Sequence, residues 1–318
     1  MHTVCLDAFT VFPATDSHWT RFSDISDIEV YDRTSGDEIL SRAADADAIL
    51  TNKVPVDDAI MEALPKLRYI GVLATGYNIV DVEAARRRGI CVTNIPSYST
   101  MSVAQHVFAL LLAAIGRAES YAALDRDGRW CASDDFSYRI NDWAELAGRT
   151  IGIVGYGNIG KAVAAIASSF GMKVALYTSK KQQDLPDGFV KMELDDLFAC
   201  ADVLSLHCPL TPQTRNLVDA RRLALMKPTA ILVNTSRGPV VDEQALADAL
   251  SSKTIAAAAL DVLCQEPPES DNPLLKAPNC YITPHIAWAS QQARERLLDI
   301  AVANLRDFVA GTPKNVVS

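Results

Sequence analysis

Apolar residues in the first 100 positions form short continuous runs that alternate with segments of helical spacing. Runs of this length are typical of parallel strands buried on both faces, with the intervening helices covering those faces. We therefore expect residues 1–99 to form one small α/β domain, onto which the last apolar helix, Gln291–Val309, should pack. The predicted strands are Val4–Asp7, Glu29–Tyr31, Ala48–Thr51, Tyr69–Leu73 and Cys91–Thr93, and the predicted helices include Asp37–Ala44, Asp57–Leu64 and Asp81–Gly89.

A second series of α/β units begins near Thr150, where a short apolar strand leads into a glycine-rich turn at residues 155–160. A helix is predicted over Lys161–Phe170, ended by Gly171, and a strand over Lys173–Tyr177. With the apolar runs that follow, these strands make a parallel sheet of seven. The later runs are Val190–Met192, Val203–Leu206, Ala230–Asn234, Ala256–Asp261 and Tyr281–Thr283.

The glycine-rich turn has the spacing of a dinucleotide site, and each glycine has its own physical reason. Gly155 permits a tight turn, Gly157 lets the backbone approach a pyrophosphate, and Gly160 allows close packing of the helix on the strand. The N–H groups of Asn158 and Ile159 would then face the phosphates. Such a pattern alone is weak and could be a plain turn, but its position between two strands and a helix favours cofactor binding.

The segment that joins the two series is less regular. Ser102–Ile115 is a strongly apolar helix, in which we expect His106 to be a satisfied core or interface histidine. Residues 116–148 have no clear period and predict a helix followed by an extended arm. Trp130 and Trp143 on this polar arm suggest anchors in a subunit interface, with an intramolecular flap as the alternative.

Length, charge and cysteine usage narrow the class of protein. The 318 residues suffice for two domains. The net charge of -9 and the pI near 5.1 argue against a nucleic-acid or membrane partner, although not against a small anionic substrate. The seven cysteines and five histidines show no metal-ligand spacing, so we expect no metal. The start resembles a strand rather than a signal peptide, and the longest apolar run, Val107–Ile115, is too short to cross a membrane, which predicts a cytoplasmic protein.

Three side chains suited to catalysis follow strands of the second sheet at their carboxyl ends, where ligands of doubly wound sheets gather. Arg237 could bind a carboxylate and carbonyl with its planar fork, and His285 could donate a proton near neutral pH. Glu266 could hold the imidazole and favour its protonated form. Each alone would more often be structural, but together with a dinucleotide turn they predict a 2-keto acid reductase. In the first domain, the Thr75–Gly76 turn could bind a carboxylate through its N–H groups, or be an ordinary strand–helix connection.

Six segments of the chain form a specific pattern: Gly152–Gly160, His207–Thr214, Asn234–Asp242, Asp261-Val262, Glu266-Pro267 and Pro284-His285. Through them the chain resembles the D-2-hydroxyacid dehydrogenase family from end to end. The resemblance implies that Arg237 binds the substrate, that Glu266 tunes His285, and that His285 is the acid–base group. It also implies that Thr75 and Gly76 bind the substrate carboxylate.

The same resemblance implies an α/β fold of two doubly wound parallel-sheet domains. A Rossmann cofactor domain at residues 100–286 would be inserted into a flavodoxin-like substrate domain made of residues 1–99 and 287–318, with the active site in a cleft closed by hinge motion. The arm at about 116–148 resembles the family's dimer-forming segment, so a homodimer is expected. The expected cofactor-binding residues are Gly155, Gly157, Asn158, Ile159, Gly160, Thr178, Ser179, Lys180, Cys208, Pro209, Thr214, Thr235, Ser236 and Asp261.

Two features concern substrate and cofactor choice. The segment Ile286–Ser290 resembles the glycerate dehydrogenase (hydroxypyruvate reductase) branch, in which Trp288 would narrow the substrate pocket. Another small 2-keto acid, such as glyoxylate, pyruvate or a phosphorylated analogue, remains an alternative substrate. A nucleotide-sensing protein that resembles transcriptional corepressors remains an alternative function. Members that prefer NAD usually carry an acid after the second cofactor strand, but residues 177–181 contain none and end in Lys180 and Lys181. Either NAD or NADP is therefore expected. NADP would be accepted if Ser179 and these lysines hold its 2′-phosphate. The alternative is that both lysines point to water and bind no phosphate.

Overall fold

The computed structural model describes residues 1–141 and 144–318, which form two compact units. Unit 1 comprises Met1–Ser99 and Ala289–Ser318, and unit 2 comprises Thr100–Trp288. Ala287 and Trp288, predicted to lie in the first domain, belong to unit 2. The reason is that the Ala287 N–H donates to Asp261 Oδ2 at 2.8 Å and the Ala287 carbonyl accepts from Ser102 Oγ at 2.7 Å.

Unit 1 contains a five-stranded parallel sheet in the order β2-β1-β3-β4-β5, which is the flavodoxin-like order. All five predicted strands are confirmed, although β1 and β2 begin two residues earlier than expected. Its strands are β1 (His2–Cys5), β2 (Asp27–Val30), β3 (Ala48–Thr51), β4 (Tyr69–Val72) and β5 (Cys91–Thr93), and its first helices are α1 (Ile39–Ala43), α2 (Asp58–Ala63) and α3 (Val82–Arg87).

The helices of unit 1 begin where the chain supplies caps. Asp57 accepts from the Ile60 N–H and Asp81 from the Ala84 N–H, so α2 and α3 start one residue after the predicted first residue. Two 3-10 segments, Ala8–Thr10 and Ser17–Phe22, were not predicted. The second of them buries Trp19 and Phe22. It was not predicted because a segment this short shows no helical period in the sequence.

Unit 2 contains a seven-stranded parallel sheet in the order β12-β11-β10-β9-β6-β7-β8, and this Rossmann arrangement confirms the predicted count. Its strands are β6 (Thr150–Val154), β7 (Lys173–Tyr177), β8 (Val190–Lys191), β9 (Val203–Leu206), β10 (Ile231–Asn234), β11 (Ala257–Leu260) and β12 (Cys280–Ile282). Its helices are α4 (Thr100–Gly116), α5 (Ala118–Arg126), α6 (Asn158–Ser169), α7 (Leu194–Cys200), α8 (Ala220–Leu223) and α9 (Glu243–Ser251).

The order of the strands reverses between β6 and β9, and this reversal opens a crevice at their carboxyl ends. The sheet is packed on both faces. One core contains Phe198, Leu204 and Leu246, and the other contains Leu111 and Ile153. The carboxyl edge is therefore held on a rigid scaffold, and the loops that follow the strands are the part that can carry a site.

Helix α4 is the central apolar helix of unit 2 and packs against α6, β10 and β11. No single helix within the described ranges is both long and apolar enough to cross a membrane. Together, α4 and α5 pass that test of length and composition, across a 55° bend. The last helix, α10 (Gln291–Val309), lies in unit 1, where Leu297, Leu298 and Leu305 are buried and the Phe308 ring lies 4.9 Å from that of Tyr69.

The segment after α5 has no regular secondary structure as far as residue 141, but it folds back onto α5. The Tyr138 hydroxyl donates to Asp125 at 2.5 Å, and the Ile140 N–H donates to the Tyr121 hydroxyl at 3.0 Å. Trp130 remains 54% exposed and Phe136 91% exposed. Trp143, the second predicted interface anchor, lies outside the described residues.

Candidate active site

The glycine-rich turn joins β6 to α6 and is shaped by two close backbone contacts. Gly155 has φ +96°, and a Cβ there would lie 2.6 Å from the His207 carbonyl oxygen. A Cβ on Gly160 would lie 2.1 Å from the Gly155 carbonyl oxygen, so Gly160 is required by the turn itself more than by helix-on-strand packing. Gly157 has nothing within 4 Å of its missing Cβ and caps α6, which therefore begins at Asn158, three residues before the predicted start.

A cavity of about 370 Å³ lies beside this turn, at the carboxyl ends of β6, β7 and β9. Eight of the expected cofactor residues line it: Gly155, Gly157, Thr178, Ser179, Lys180, Cys208, Pro209 and Thr214. The Thr214 hydroxyl is also engaged within its own loop, where it donates to the Pro209 carbonyl at 2.6 Å. The cavity, the open face of Gly157 and the exposed N-terminal turn of α6 fit the phosphates and adenosine of a dinucleotide.

A cationic cluster follows β7, in the segment 177–181 that contains no acidic residue. Lys180 is half-buried, lines the cavity, and has its Nζ 5.8 Å from the centroid of the Tyr156 ring. Its carbonyl accepts from Lys191 Nζ at 2.9 Å, so a further lysine from β8 lies near. Ser179 and Lys181 are exposed. This end of the cavity is therefore positively charged.

The loop that follows β10 is held by a buried asparagine. Asn234 is 1% exposed; its amide donates to the Arg237 carbonyl at 3.0 Å, and its oxygen accepts from the Ser236 N–H at 3.0 Å. These bonds present Thr235, Ser236 and Arg237 at the sheet edge, with the Arg237 guanidinium exposed. The buried Thr235 hydroxyl finds no hydrogen-bond partner within the described residues, as expected of a group that meets a ligand.

Gly238 places this loop directly against the loop that carries Glu266. A Cβ on Gly238 would lie 2.0 Å from the carbonyl carbon and oxygen of Leu263, so only glycine allows the contact. The Leu263 N–H in turn donates to Glu266 Oε1 at 3.1 Å. The loops of Arg237 and Glu266 are thus fixed relative to each other through their backbones.

Glu266 and His285 form the pair that the sequence predicted. Glu266 Oε2 lies 2.6 Å from His285 Nδ1, and the two side chains are 36% and 28% exposed. A carboxylate at Nδ1 accepts the ring N–H and so fixes the orientation of the imidazole. The pair therefore presents the other ring nitrogen, Nε2, as a group that can give or take a proton.

Asp261, which follows β11, clamps the loop that carries His285. Its carbonyl accepts from the His285 N–H at 2.9 Å, and its carboxylate accepts from the Ile286 and Ala287 N–H groups at 2.9 and 2.8 Å and from the Thr283 hydroxyl at 2.6 Å. Burial raises the pKa of this carboxyl, but the hydrogen bonds outweigh burial and hold the pKa below its ordinary value. The clamp matters because His285 has φ +53°, a left-handed conformation that costs free energy for a non-glycine residue.

Comparison with known proteins identifies the family of the chain. Residues 108–287 match the family described as D-isomer specific 2-hydroxyacid dehydrogenase, NAD binding domain. The chain is also 45% identical over 322 residues to a hydroxypyruvate reductase of Blautia hydrogenotrophica, with 100% of each chain covered. The chain belongs to the D-isomer specific 2-hydroxyacid dehydrogenase family.

Further relatives of this dehydrogenase agree in sequence and in fold. A glycerate dehydrogenase of Methylorubrum extorquens is 43% identical over 283 residues, with 88% of each chain covered. The crystal structure of the TT0316 protein from Thermus thermophilus superimposes with a TM-score of 0.89 at 36% identity and covers 100% of both chains. The resemblance to the family and the predicted fold class are thereby confirmed, and the enzyme is an oxidoreductase with an NAD-binding domain.

Four predicted site residues of the dehydrogenase remain, two in unit 1 and two in unit 2. In unit 1, the Thr75 hydroxyl donates to the Ile95 carbonyl at 2.8 Å, which holds the turn after β4. Gly76 follows Thr75 in the same turn and is half-buried. In unit 2, Ile159 packs half-buried on the core at the start of α6, and Trp288 is half-buried.

Several residues of the dehydrogenase lie at the site without having been predicted from the sequence. Tyr156, His207 and Leu217 line the cavity beside the glycine-rich turn. Burial lowers the pKa of His207 to about 4, so its ring is neutral near pH 7, and its Nε2 lies 2.8 Å from Ser205 Oγ. His207 belongs to one of the segments that resemble the family, but no role was predicted for it. Its position directly after an apolar strand could have indicated that it lies at the site.

Proposed function

We propose that the enzyme reduces small 2-keto acids, with hydroxypyruvate to D-glycerate the first choice. The observation that carries the proposal is the His285–Glu266 pair, 2.6 Å apart and partly exposed, at the same sheet edge as the Arg237 loop and the glycine-rich turn. The full-length similarity to a hydroxypyruvate reductase and the similarity to a glycerate dehydrogenase support this substrate.

Each residue has a defined task in that reaction. When bound, the nicotinamide cofactor supplies the hydride that C2 of the keto acid receives. His285, with Nδ1 facing Glu266, gives the proton on Nε2 to the carbonyl oxygen, and this neutralises the charge that develops there. The Arg237 fork, which is exposed at this sheet edge, binds the substrate carboxylate and fixes its orientation.

Turnover in a His285→Ala variant tests the assignment. The oxidation of NADH and NADPH would be followed with hydroxypyruvate, and cofactor binding would be measured by fluorescence. We expect kcat to fall by about 10²–10⁴-fold while cofactor affinity is retained, because only the proton donor is removed. His18→Ala is the matched control, since His18 lies in unit 1 and bonds to Asp16. Turnover of the variant at a rate comparable to that of the wild type would refute the role of His285.

We further propose that NADP(H) is accepted at the cationic end of the cavity, at least as well as NAD(H). Lys180 lines the cavity, Lys191 lies beside it, and no acid occurs in residues 177–181 to repel a 2′-phosphate. The ratio of kcat/KM with NADPH to that with NADH measures the preference. Ser179→Asp should lower this ratio by at least about tenfold, since it places a like charge beside the phosphate. A large preference of the wild type for NADH would contradict the proposal.

We also propose a homodimer built on the arm that follows α5. Phe136, 91% exposed, and Trp130, 54% exposed, present apolar surface that a second copy of the chain would cover. Light scattering after gel filtration should show a dimer for the wild type and a shift to monomer for Phe136→Asp. A monomeric wild type would refute the dimer, and the cytoplasmic location stays a prediction.

A further inference from the structure

His106 contacts the residues that hold the proton donor in place. It lies on α4, and its Nε2 is 2.9 Å from the Thr283 hydroxyl oxygen and 3.5 Å from Asp261 Oδ1. The His106 and Asp261 side chains are only 19% and 1% exposed, so water competes little for these contacts. The sequence predicted a satisfied core or interface histidine and gave no reason to connect it with His285.

The direction of these hydrogen bonds follows from counting protons. Thr283 has one hydroxyl proton, and its oxygen lies 2.6 Å from Asp261 Oδ1, which as a carboxylate can only accept. Thr283 therefore donates to Asp261 and accepts from His106, so His106 carries its proton on Nε2. The result is a directed chain of donors that runs from His106 through Thr283 to Asp261.

The end of this chain is the backbone on both sides of the proton donor. Asp261 accepts from the N–H groups of Ile286 and Ala287, and its carbonyl accepts from the His285 N–H. These bonds keep His285 at φ +53°. If the Asp261 carboxylate turned away, the left-handed conformation would lose its support and the ring would move relative to Glu266.

We propose that His106 is a positioning residue, which fixes the Asp261 carboxylate through Thr283 and so keeps His285 aimed at the substrate. The proposal rests on the proposed function, in which His285 is the proton donor. It assigns His106 no contact with substrate or cofactor. A histidine of α4 that merely fills space in the packing of the helix would affect stability but not the geometry of the His285 loop.

Three single variants and one double variant test the chain of bonds. His106→Leu removes the donor but keeps apolar volume, Thr283→Val removes the hydroxyl at constant shape, and His106→Gln keeps an N–H donor near the Nε2 position. We expect His106→Leu and Thr283→Val each to lower kcat by about tenfold with the KM for the keto acid within about twofold, because alignment is lost rather than binding. His106→Gln should recover most of kcat, and the double variant should be no slower than either single one, because both break one chain.

A second readout does not depend on turnover. Nitrogen-15 NMR of the five histidine rings shows whether the His285 signals, identified by their loss in His285→Gln, move in His106→Leu and Thr283→Val. A wild type without activity on any keto acid would refute the proposed function, and a shift of the His285 signals in both variants would still support the positioning role. If both variants kept the wild-type kcat per folded enzyme and showed unchanged His285 signals, the positioning role would be overturned. If His106→Leu failed to fold, Thr283→Val would decide by the same two measurements.

Discussion

Replacement of Asp261 by asparagine removes a buried negative charge while the shape of the side chain stays the same. The carboxylate is 1% exposed and accepts from the Thr283 hydroxyl and the Ile286 and Ala287 N–H groups at 2.6–2.9 Å. Asparagine has only one acceptor oxygen. In either orientation of the amide, its NH₂ group faces at least one backbone N–H, so a donor is left buried without a partner.

The size of the effect follows from these contacts. A hydrogen bond to a charged group contributes about 1.5–3 kcal/mol, and leaving the donor unsatisfied adds to that loss. We expect the free energy of unfolding of Asp261→Asn to fall by about 2–4 kcal/mol, which a domain of ordinary stability survives. Because the His285 loop loses its clamp, kcat should fall by about 10²-fold, the cost typical of a displacement of about 1 Å.

The experiment compares urea unfolding, kcat with hydroxypyruvate, and the Kd for the reduced cofactor. Asp45→Asn is the matched control: this carboxylate is 78% exposed and bonds to Lys66 at 2.6 Å, and exposed ion pairs contribute little. An unchanged Kd for the cofactor with reduced kcat supports the clamp, whereas a weaker Kd with intact kcat supports the cofactor contact that the family resemblance implied for Asp261. Wild-type stability together with wild-type kcat would refute the reasoning.

Three further predictions concern the same edge of unit 2. Arg237→Lys should lower kcat/KM for the keto acid severely, by at least about tenfold, because the planar fork is lost; steady-state kinetics measures it. Gly238→Ala should lower both Tm and kcat, since its Cβ would lie 2.0 Å from the Leu263 carbonyl oxygen, and equal Tm values would contradict this. The neutral form of His207 is favoured by folding, with a pKa of about 4 against 6.5 when unfolded, so stability is lost as pH falls from 6.5 towards 4. Urea unfolding at pH 7 and pH 5 should show a loss about 2 kcal/mol larger in the wild type than in His207→Gln.

The fold was largely predictable because parallel strands buried on both faces leave continuous apolar runs. The runs at Ala48–Thr51 and Val203–Leu206 agree with the observed strands to the residue. Helix starts were less accurate, since α6 begins at a glycine cap rather than at the first charged residue. The 3-10 segment Ser17–Phe22 was missed because it is anchored by the tertiary burial of Trp19, which no local period reveals.

The candidate site divides into residues that local sequence could indicate and residues that only the fold connects. Glu266 and His285 were predictable, because each follows a strand in a recognisable segment, and the structure places them 2.6 Å apart. The contact of Gly238 with Leu263 could not be predicted, since it depends on how closely two loops approach. His106 is 177 residues from Thr283 in the chain, and a helical apolar pattern indicates only that its side chain is covered.

His285, the proposed proton donor, and the loops beside it are positioned mainly by backbone contacts and buried acceptors rather than by packing of large side chains. Gly238 places the Arg237 loop on the Leu263 backbone, and the Leu263 N–H holds Glu266. Asp261 holds the loop of His285 through backbone N–H groups. Hydrogen bonds to a carboxylate are directional and lose strength steeply with misalignment, whereas apolar packing tolerates small shifts. A site that must hold a strained histidine to within a fraction of an ångström is therefore better fixed by an aspartate than by a larger core. We expect conservative changes at Asp261 to reduce turnover more than methyl-sized changes in the core that contains Leu111 and Ile153.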